Sequence, residues 1–139
     1  LFGFDPKVAF VSHSTFGQPL TQRTKHIQDA VEILKKKNVD FEFDGDMQPD
    51  VALNKEYQNL YPFSKIVGNA NILIMPGQHS AAISYKLMKS LGDTKVIGPL
   101  LIGLGLPIEI VPLRSSTSEI INLASIAAYS ADIIDYQKN

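Results

Sequence analysis

The chain has 139 residues, 45% of them hydrophobic and 19% charged, an ordinary globular composition that excludes a disordered protein. The formal net charge of −1 gives no electrostatic indication of binding to nucleic acid or to an anionic membrane, and the lack of cysteine excludes disulfides and thiolate chemistry. No run reaches the roughly 18 apolar residues that a membrane-spanning helix needs. The length predicts a single domain, residues 1–139, and the lack of cysteine favours a reducing compartment, so we expect a cytoplasmic protein.

The chain starts at Leu1, without a methionine or a basic leader region, which predicts a piece of a longer polypeptide.

Strand-like and helix-like segments alternate along the chain. The predicted strands are Lys7–Ser12, Phe41–Asp44, Asn71–Met75 (apolar and buried), Val96–Ile97 and Ile108–Val111. The predicted helices are Thr21–Lys37, Pro49–Tyr61, a helix that Ser80 caps and Gly92 closes, and Ser116–Asp135. This alternation predicts an α/β fold, a three-layer sandwich with a mostly parallel sheet covered on both faces.

The segment Ser12–Gly17 follows the first predicted strand and precedes the first helix. Its hydroxyl groups and its glycine, next to a helix N-terminus, form a plausible cradle for phosphate. The alternative is an ordinary turn whose hydroxyl groups bond to the backbone. The spacing alone favours the turn over the phosphate cradle.

Three carboxylates alternate in the segment Asp44–Asp50, which resembles a calcium-binding loop. Pro49 stands where such a loop needs glycine, and Lys55 stands where it needs a bidentate glutamate. We therefore interpret the segment as a solvated turn with a helix cap.

Gly103-Leu104-Gly105 lacks the third glycine of a dinucleotide fingerprint, so the chain shows no nicotinamide site.

The three histidines are His13, His26 and His79. His26 lies one helical turn from Asp29, but two ligands on a solvated face do not make a metal site, and we predict none. His79 follows a strand end, where α/β proteins collect functional groups, although a structural or peripheral role is the better interpretation.

Ser116-Thr117-Ser118-Glu119 has the form of a capping box, in which Ser116 and Glu119 satisfy each other's backbone N–H groups. The helix that follows is apolar around most of its circumference. Such a helix is expected either inside the fold or in a subunit interface.

Several segments, taken in order, resemble the C-terminal part of the phosphate acetyltransferase/butyryltransferase family. They are KVAFVSHSTFG, DFEFDGDMQPDVAL, GNANILIMP, ISYKLMKSLG, VIGPLLIGLGLPI and EIINLASIAA. Within that family, MPGQHSAAISYKLMKSLG and VIGPLLIGLGLPIEIV resemble the C-terminal module of large bacterial NADP-dependent malic enzymes. The resemblance implies a fold similar to that of isocitrate and isopropylmalate dehydrogenases, a coenzyme A cleft and assembly into homo-oligomers.

The resemblance also implies that the transferase chemistry is lost. The family's serine–arginine pair falls on Pro112 and Leu113, its thiol-activating aspartate on Glu119, and an asparagine before I-x-Y-K on Ala82. Loss of one charge-stabilising group typically lowers the reaction rate about 100- to 1000-fold. Six residues match the ligand-binding positions of the family, namely Ser12, Ser14, Thr15, Gly17, Tyr85 and Lys86. Arg114, one position out of register with the family's arginine, is the seventh candidate.

By this resemblance, the chain is a non-catalytic module that senses acetyl-CoA and forms oligomers. It would regulate a catalytic domain in the same polypeptide, and that domain would bind NADP and Mg²⁺ or Mn²⁺ and convert malate to pyruvate. Two alternatives stay open. One is a phosphate acetyltransferase fragment that moves acetyl between acetyl phosphate and coenzyme A, and the other is a purely structural oligomerisation domain.

Overall fold

A computed structural model describes residues 3–93 and 95–138. Three parallel strands form one sheet in the order β2-β1-β3, namely β1 (Lys7–Val11), β2 (Glu42–Met47) and β3 (Ile72–Ile74). β1 is central because Val8 pairs with Phe43 on one side and with Ile72 on the other. The α/β fold with a parallel sheet is thus confirmed.

Five helices accompany the sheet in the described residues, and strands and helices alternate as predicted from β1 to β3, except that two helices stand where one was predicted between β2 and β3. The five helices are α1 (Gln22–Lys36), α2 (Pro49–Leu53), α3 (Lys55–Gln58), α4 (Gln78–Leu91) and α5 (Thr117–Lys138). α1 begins after a capping box, in which the Thr21 hydroxyl accepts from the Thr24 N–H at 3.2 Å and the Thr24 hydroxyl accepts from the Thr21 N–H at 2.8 Å. Every helix is too short or too polar to cross a lipid bilayer, as far as the described residues extend.

The hydrophobic core lies beside β1 and the carboxyl end of β2. Its fully or nearly buried members are Ala9, Val11, Met47, Ala52, Ile66 and Ala70, with Phe16, Leu73 and Met75 packed against them. Because successive residues of a strand face opposite sides, β1 contributes to both faces of the sheet, and Val8 on the other face is also buried.

Five predictions about elements are wrong in whole or in part. Asn71–Met75 was expected to be a buried strand, but β3 is an edge strand, and Ile72 and Ile74 are 40% and 42% exposed. The helix predicted over Pro49–Tyr61 is two short helices, because the Asn54 side chain accepts from the Glu56 N–H at 2.9 Å and starts α3 afresh.

The remaining three differences concern the start of α4 and the part of the chain that follows it. Ser80 is not the cap, since α4 begins at Gln78 and the Ala81 N–H donates to the Gly77 carbonyl at 3.1 Å. Val96–Ile97 and Ile108–Val111 are not strands, because nothing in the described residues pairs with them and a short apolar run without a partner gains no ladder.

The chain divides into two compact units. The described residues up to Leu87 form the first, here called the N-terminal unit, and those from Met88 onward form the second, the C-terminal unit. The sheet, α1, α2 and α3 lie in the N-terminal unit, whereas α5 lies in the C-terminal unit.

Candidate ligand-binding site

The loop Ser12–Gly17 leaves the carboxyl end of β1 and turns its hydroxyl groups inward. Ser14 is completely buried, and its hydroxyl donates to the Asp46 carboxylate. The Thr15 hydroxyl accepts from the Gln48 N–H at 3.1 Å, and the Ser12 hydroxyl lies 3.3 Å from that of Ser14. The hydroxyl groups that would form a phosphate cradle therefore bond within the protein, and their role in binding a ligand stays a prediction.

Asp46 is the centre of this loop. It is completely buried, and its Oδ1 accepts from the Gly17 N–H and from the Gln28 amide, each at 3.0 Å. The Asp46 carbonyl accepts from the Phe16 N–H at 2.6 Å. A carboxylate thus already occupies the position that these donors would offer to an external anion.

The interpretation of Asp44–Asp50 as a solvated turn is wrong for two of its three carboxylates. Asp44 is only 5% exposed, and its two oxygens accept from the Gly45 N–H at 3.0 Å and the Lys65 N–H at 2.8 Å. Asp46 and Asp44 both belong to β2, so they are held inside the fold, and only Asp50 is exposed, in the first turn of α2. No group of three or more metal-ligating side chains is placed to hold a metal among the described residues.

An open cavity of about 730 Å³ lies at the carboxyl ends of β1 and β3, next to the same loop. The first two turns of α1 contribute Arg23 and His26, and the start of α4 contributes His79 and Ser80. His13 and Ser12 come from the loop, so all three histidines of the chain line one cavity. Among the described residues that line it, none is acidic.

Sequence reasoning treated these histidines separately and did not single out Arg23. The sequence feature that could have grouped these residues is their position relative to the strands. The carboxyl ends of neighbouring parallel strands meet at one edge of a sheet, so the residues just after β1 and just after β3 converge there. Ser12 is the only residue of the predicted ligand-binding set among the described residues that line this cavity.

The other predicted binding residues lie further along the chain. Tyr85, partly buried, and Lys86, exposed, are on α4 with Ala82. Arg114 is exposed and belongs to the C-terminal unit, whereas the loop Ser12–Gly17 belongs to the N-terminal unit.

The positions expected to have lost transferase function lie just before α5. Pro112 is exposed and Leu113 is fully exposed. The predicted capping box is confirmed: Glu119 Oε2 accepts from the Ser116 N–H at 2.8 Å, and the Glu119 N–H donates to the Ser116 hydroxyl at 3.3 Å. The Lys89 ammonium group also donates to Glu119.

These bonds decide what Glu119 can do chemically. The hydrogen bond from Lys89, followed by those from Ser116, lowers the pKa of Glu119 to about 2. A thiol has a pKa near 8.5, so a carboxylate this acidic is a poor base for removing its proton. Glu119 is therefore suited to capping α5 rather than to activating a thiol.

The profile of the phosphate acetyl/butaryl transferase family matches residues 1–128. The chain belongs to this family. The expected family resemblance is thereby confirmed, and it extends over nearly the whole chain.

Malic enzymes and phosphate acetyltransferases are both among the relatives of the chain. The chain is 47% identical over 129 residues to an NADP-dependent malic enzyme of Rhizobium meliloti, covering 93% of the chain and 17% of the enzyme. It is 36% identical over 132 residues to a phosphate acetyltransferase of Clostridium acetobutylicum, covering 94% of the chain and 40% of the transferase. The chain thus spans well under half the length of these relatives.

Solved structures of the family share the fold. A phosphotransacetylase from Streptococcus pyogenes matches with a TM-score of 0.85 and 36% identity over 92% of the chain and 39% of that protein. The EutD phosphotransacetylase from Staphylococcus aureus matches with a TM-score of 0.84 and 32% identity over 94% of the chain and 41% of that protein.

Proposed function

We propose that the chain is a regulatory module of a cytoplasmic malic enzyme, that it binds acetyl-CoA without transforming it, and that it helps to form a homo-oligomer. The catalytic part of the polypeptide would oxidise and decarboxylate malate with NADP and Mg²⁺ or Mn²⁺. Binding of acetyl-CoA would change malate turnover with a coupling free energy of about 1–3 kcal/mol.

The observation that carries the proposal is the kind of relative that the chain matches. Identity is 47% with the malic enzyme of Rhizobium meliloti and 36% with the phosphate acetyltransferase of Clostridium acetobutylicum. In the malic enzyme the matching part is 17% of the length, as expected for a module attached to a larger catalytic region.

The geometry supports binding without catalysis. The cavity beside β1 and β3 offers Arg23 and three histidines to an anionic ligand. The position expected for the thiol-activating base is Glu119, which caps α5 and whose pKa is lowered to about 2 by Lys89 and Ser116.

Thermal unfolding of the chain with and without acetyl-CoA tests the proposal, with ADP as the control for adenine-only binding. A ligand at 100 times its dissociation constant stabilises the folded state by roughly 2.7 kcal/mol, which raises the melting temperature by several degrees. We expect a clear rise with acetyl-CoA, a smaller one with ADP, and altered malate turnover by the intact polypeptide. A purely structural module predicts a different result. Acetyl-CoA would then have no effect on the melting temperature or on malate turnover, whereas removal of the module would still change the size of the oligomer.

The relatives that are phosphate acetyltransferases support a second candidate, a working transferase module. It predicts phosphate-dependent formation and consumption of acetyl-CoA by the intact polypeptide. Robust turnover that disappears in Arg114→Ala would overturn the non-catalytic proposal, because Arg114 is the arginine nearest to the expected catalytic position.

A further inference from the structure

We propose that the cavity at the carboxyl ends of β1 and β3 binds the phosphate groups of an organic phosphate, with Arg23 as the main anion ligand and His79 and His26 beside it. This deepens the proposed function by naming where the phosphates of its ligand bind, and in that respect it rests on that function. Ser12 and His13 of the loop Ser12–Gly17 line this cavity, but the Ser14 hydroxyl and the Gly17 N–H are not its anion ligands, because Asp46 already accepts hydrogen bonds from both.

The charges that line the cavity favour an anion. Arg23 supplies a permanent positive charge in a planar fork that matches two phosphate oxygens. Arg23 has no carboxylate partner in the described residues. Lys25, two positions along α1, is different: its ammonium group lies 2.8 Å from Asp29, and it does not line the cavity. Arg23 is thus the cation on this turn of the helix that is available to a ligand.

The start of α4 lies at the same cavity. The Ala81 N–H donates to the Gly77 carbonyl, which makes Gly77 the residue that precedes the helix, and glycine has no side chain to cap the first N–H groups. α1 is capped in the usual way, since the Thr21 hydroxyl accepts from the Thr24 N–H. Because Gly77, His79 and Ser80 all line the cavity, the positive end of the α4 dipole lies at its wall.

The size and the remaining lining indicate an organic phosphate rather than inorganic phosphate. A volume of about 730 Å³ lies within the range of sites for drug-sized ligands and exceeds what a single phosphate fills. Beside its basic residues, the cavity is lined by apolar side chains, namely Phe10, Ile27, Ala30, Ile74 and Met75. Apolar walls with a few convergent polar groups suit a ligand that carries both phosphates and an apolar part.

Isothermal titration calorimetry of the full chain at low, fixed salt tests the inference with three probes: pyrophosphate, ADP and acetyl-CoA. Arg23→Gln removes the charge at an exposed position, and Lys25→Gln removes a charge two residues away outside the cavity. We expect Arg23→Gln to weaken each probe at least about tenfold, His79→Asn to weaken it less, and Lys25→Gln to change it less than about twofold. Circular dichroism of each variant verifies that the fold is kept.

The outcomes separate this inference from the proposed function. Equal acetyl-CoA affinity in the wild type, Arg23→Gln and His79→Asn would overturn the inference and leave the proposed function standing. Pyrophosphate and ADP binding that depends on Arg23, with no added affinity for acetyl-CoA, would support the site and count against the proposed ligand. If none of the three probes bound the wild-type chain at millimolar concentration, the anion site would be overturned.

Discussion

The N-terminal and C-terminal units are packed in different ways. Of the described hydrophobic residues that are buried, all but Leu123 lie in the N-terminal unit, and so do all the buried polar ones. In the C-terminal unit Leu91 and Ile102 are more than 80% exposed, and Ile121 on α5 is 58% exposed. The cavities of the two units also differ. The cavity lined by Arg23 and the three histidines belongs to the N-terminal unit, whereas a cavity of about 320 Å³ in the C-terminal unit is lined mainly by leucine and isoleucine.

This difference shows where a small change of side chain has consequences. In a closely packed region, each added or removed atom must be accommodated by neighbours that are already in contact. In a region whose side chains are exposed, the same change meets open space. Matched substitutions in the two units therefore test whether the N-terminal unit carries the stability of the chain.

The largest effect is expected at Gly45 in β2. Its φ is +153°, and an added Cβ would lie 2.6 Å from the Phe10 carbonyl oxygen and 2.7 Å from the Phe10 Cβ in the neighbouring strand. Both strain and overpacking follow, so Gly45→Ala should lower the free energy of unfolding by about 3 kcal/mol. Urea denaturation followed by circular dichroism measures this.

The matched control is Gly105→Ala in the C-terminal unit, where an added Cβ meets no atom within 4 Å. We expect the free energy of unfolding to change by less than about 1 kcal/mol, because the substitution affects mainly the flexibility of the unfolded chain. Similar losses at both positions would contradict the contrast between the two units.

The next effect is expected at Asp46. Asp46→Ala leaves the Ser14 hydroxyl, the Gly17 N–H and the Gln28 amide without their acceptor inside the protein. Buried donors that lose an acceptor should lower the free energy of unfolding by about 2 kcal/mol. Hydrogen exchange of the Gly17 amide, followed by NMR, should become faster in the same variant.

Asp50→Ala serves as the control for Asp46→Ala. Asp50 is a carboxylate four positions away on the exposed first turn of α2. Its loss removes only a favourable charge at a helix N-terminus, worth about 0.3–1 kcal/mol. If the two alanine variants were equally stable, Asp46 would not be what holds the loop Ser12–Gly17.

Local signals predicted the elements that local residues determine. β1 and α1 agree with the predicted Lys7–Ser12 and Thr21–Lys37 to within one residue at each end, because a β-branched run and a capping threonine lie in the elements themselves. The capping box before α5 was predicted for the same reason, since Ser116 and Glu119 are three residues apart.

The parts that sequence reasoning missed depend on residues far apart in the chain. Asp46 can be buried because Ser14 and Gln28, from two other segments, donate hydrogen bonds to its carboxylate. The residues next to Asp46 in the sequence do not indicate these distant donors. The basic cavity was missed because its side chains come from a loop and two helices. The short apolar runs that failed as strands, 96–97 and 108–111, look the same in sequence whether or not a neighbouring strand exists.

The smallest effect is expected in the C-terminal unit, at Glu119. Lys89 and Ser116 lower the pKa of Glu119 from 4.5 to about 2, so the ionised carboxylate is favoured by the folded state. Its contribution is present in full above pH 4.5 and is lost as the pH falls towards 2. Glu119→Gln should therefore lower the melting temperature slightly at pH 6, and the difference from the wild type should shrink as the pH is lowered to 3.

Ser116→Ala distinguishes this charge effect from capping in general. The Ser116 hydroxyl accepts from the Glu119 N–H, and that bond does not require an ionised carboxylate. The loss in melting temperature caused by Ser116→Ala should consequently persist in part at pH 3, whereas that caused by Glu119→Gln should fade. A Glu119→Gln difference that stayed constant from pH 6 to pH 3 would mean that the Lys89 and Ser116 contacts do not stabilise the ionised form, and that Glu119 acts at the start of α5 only through the shape of its side chain.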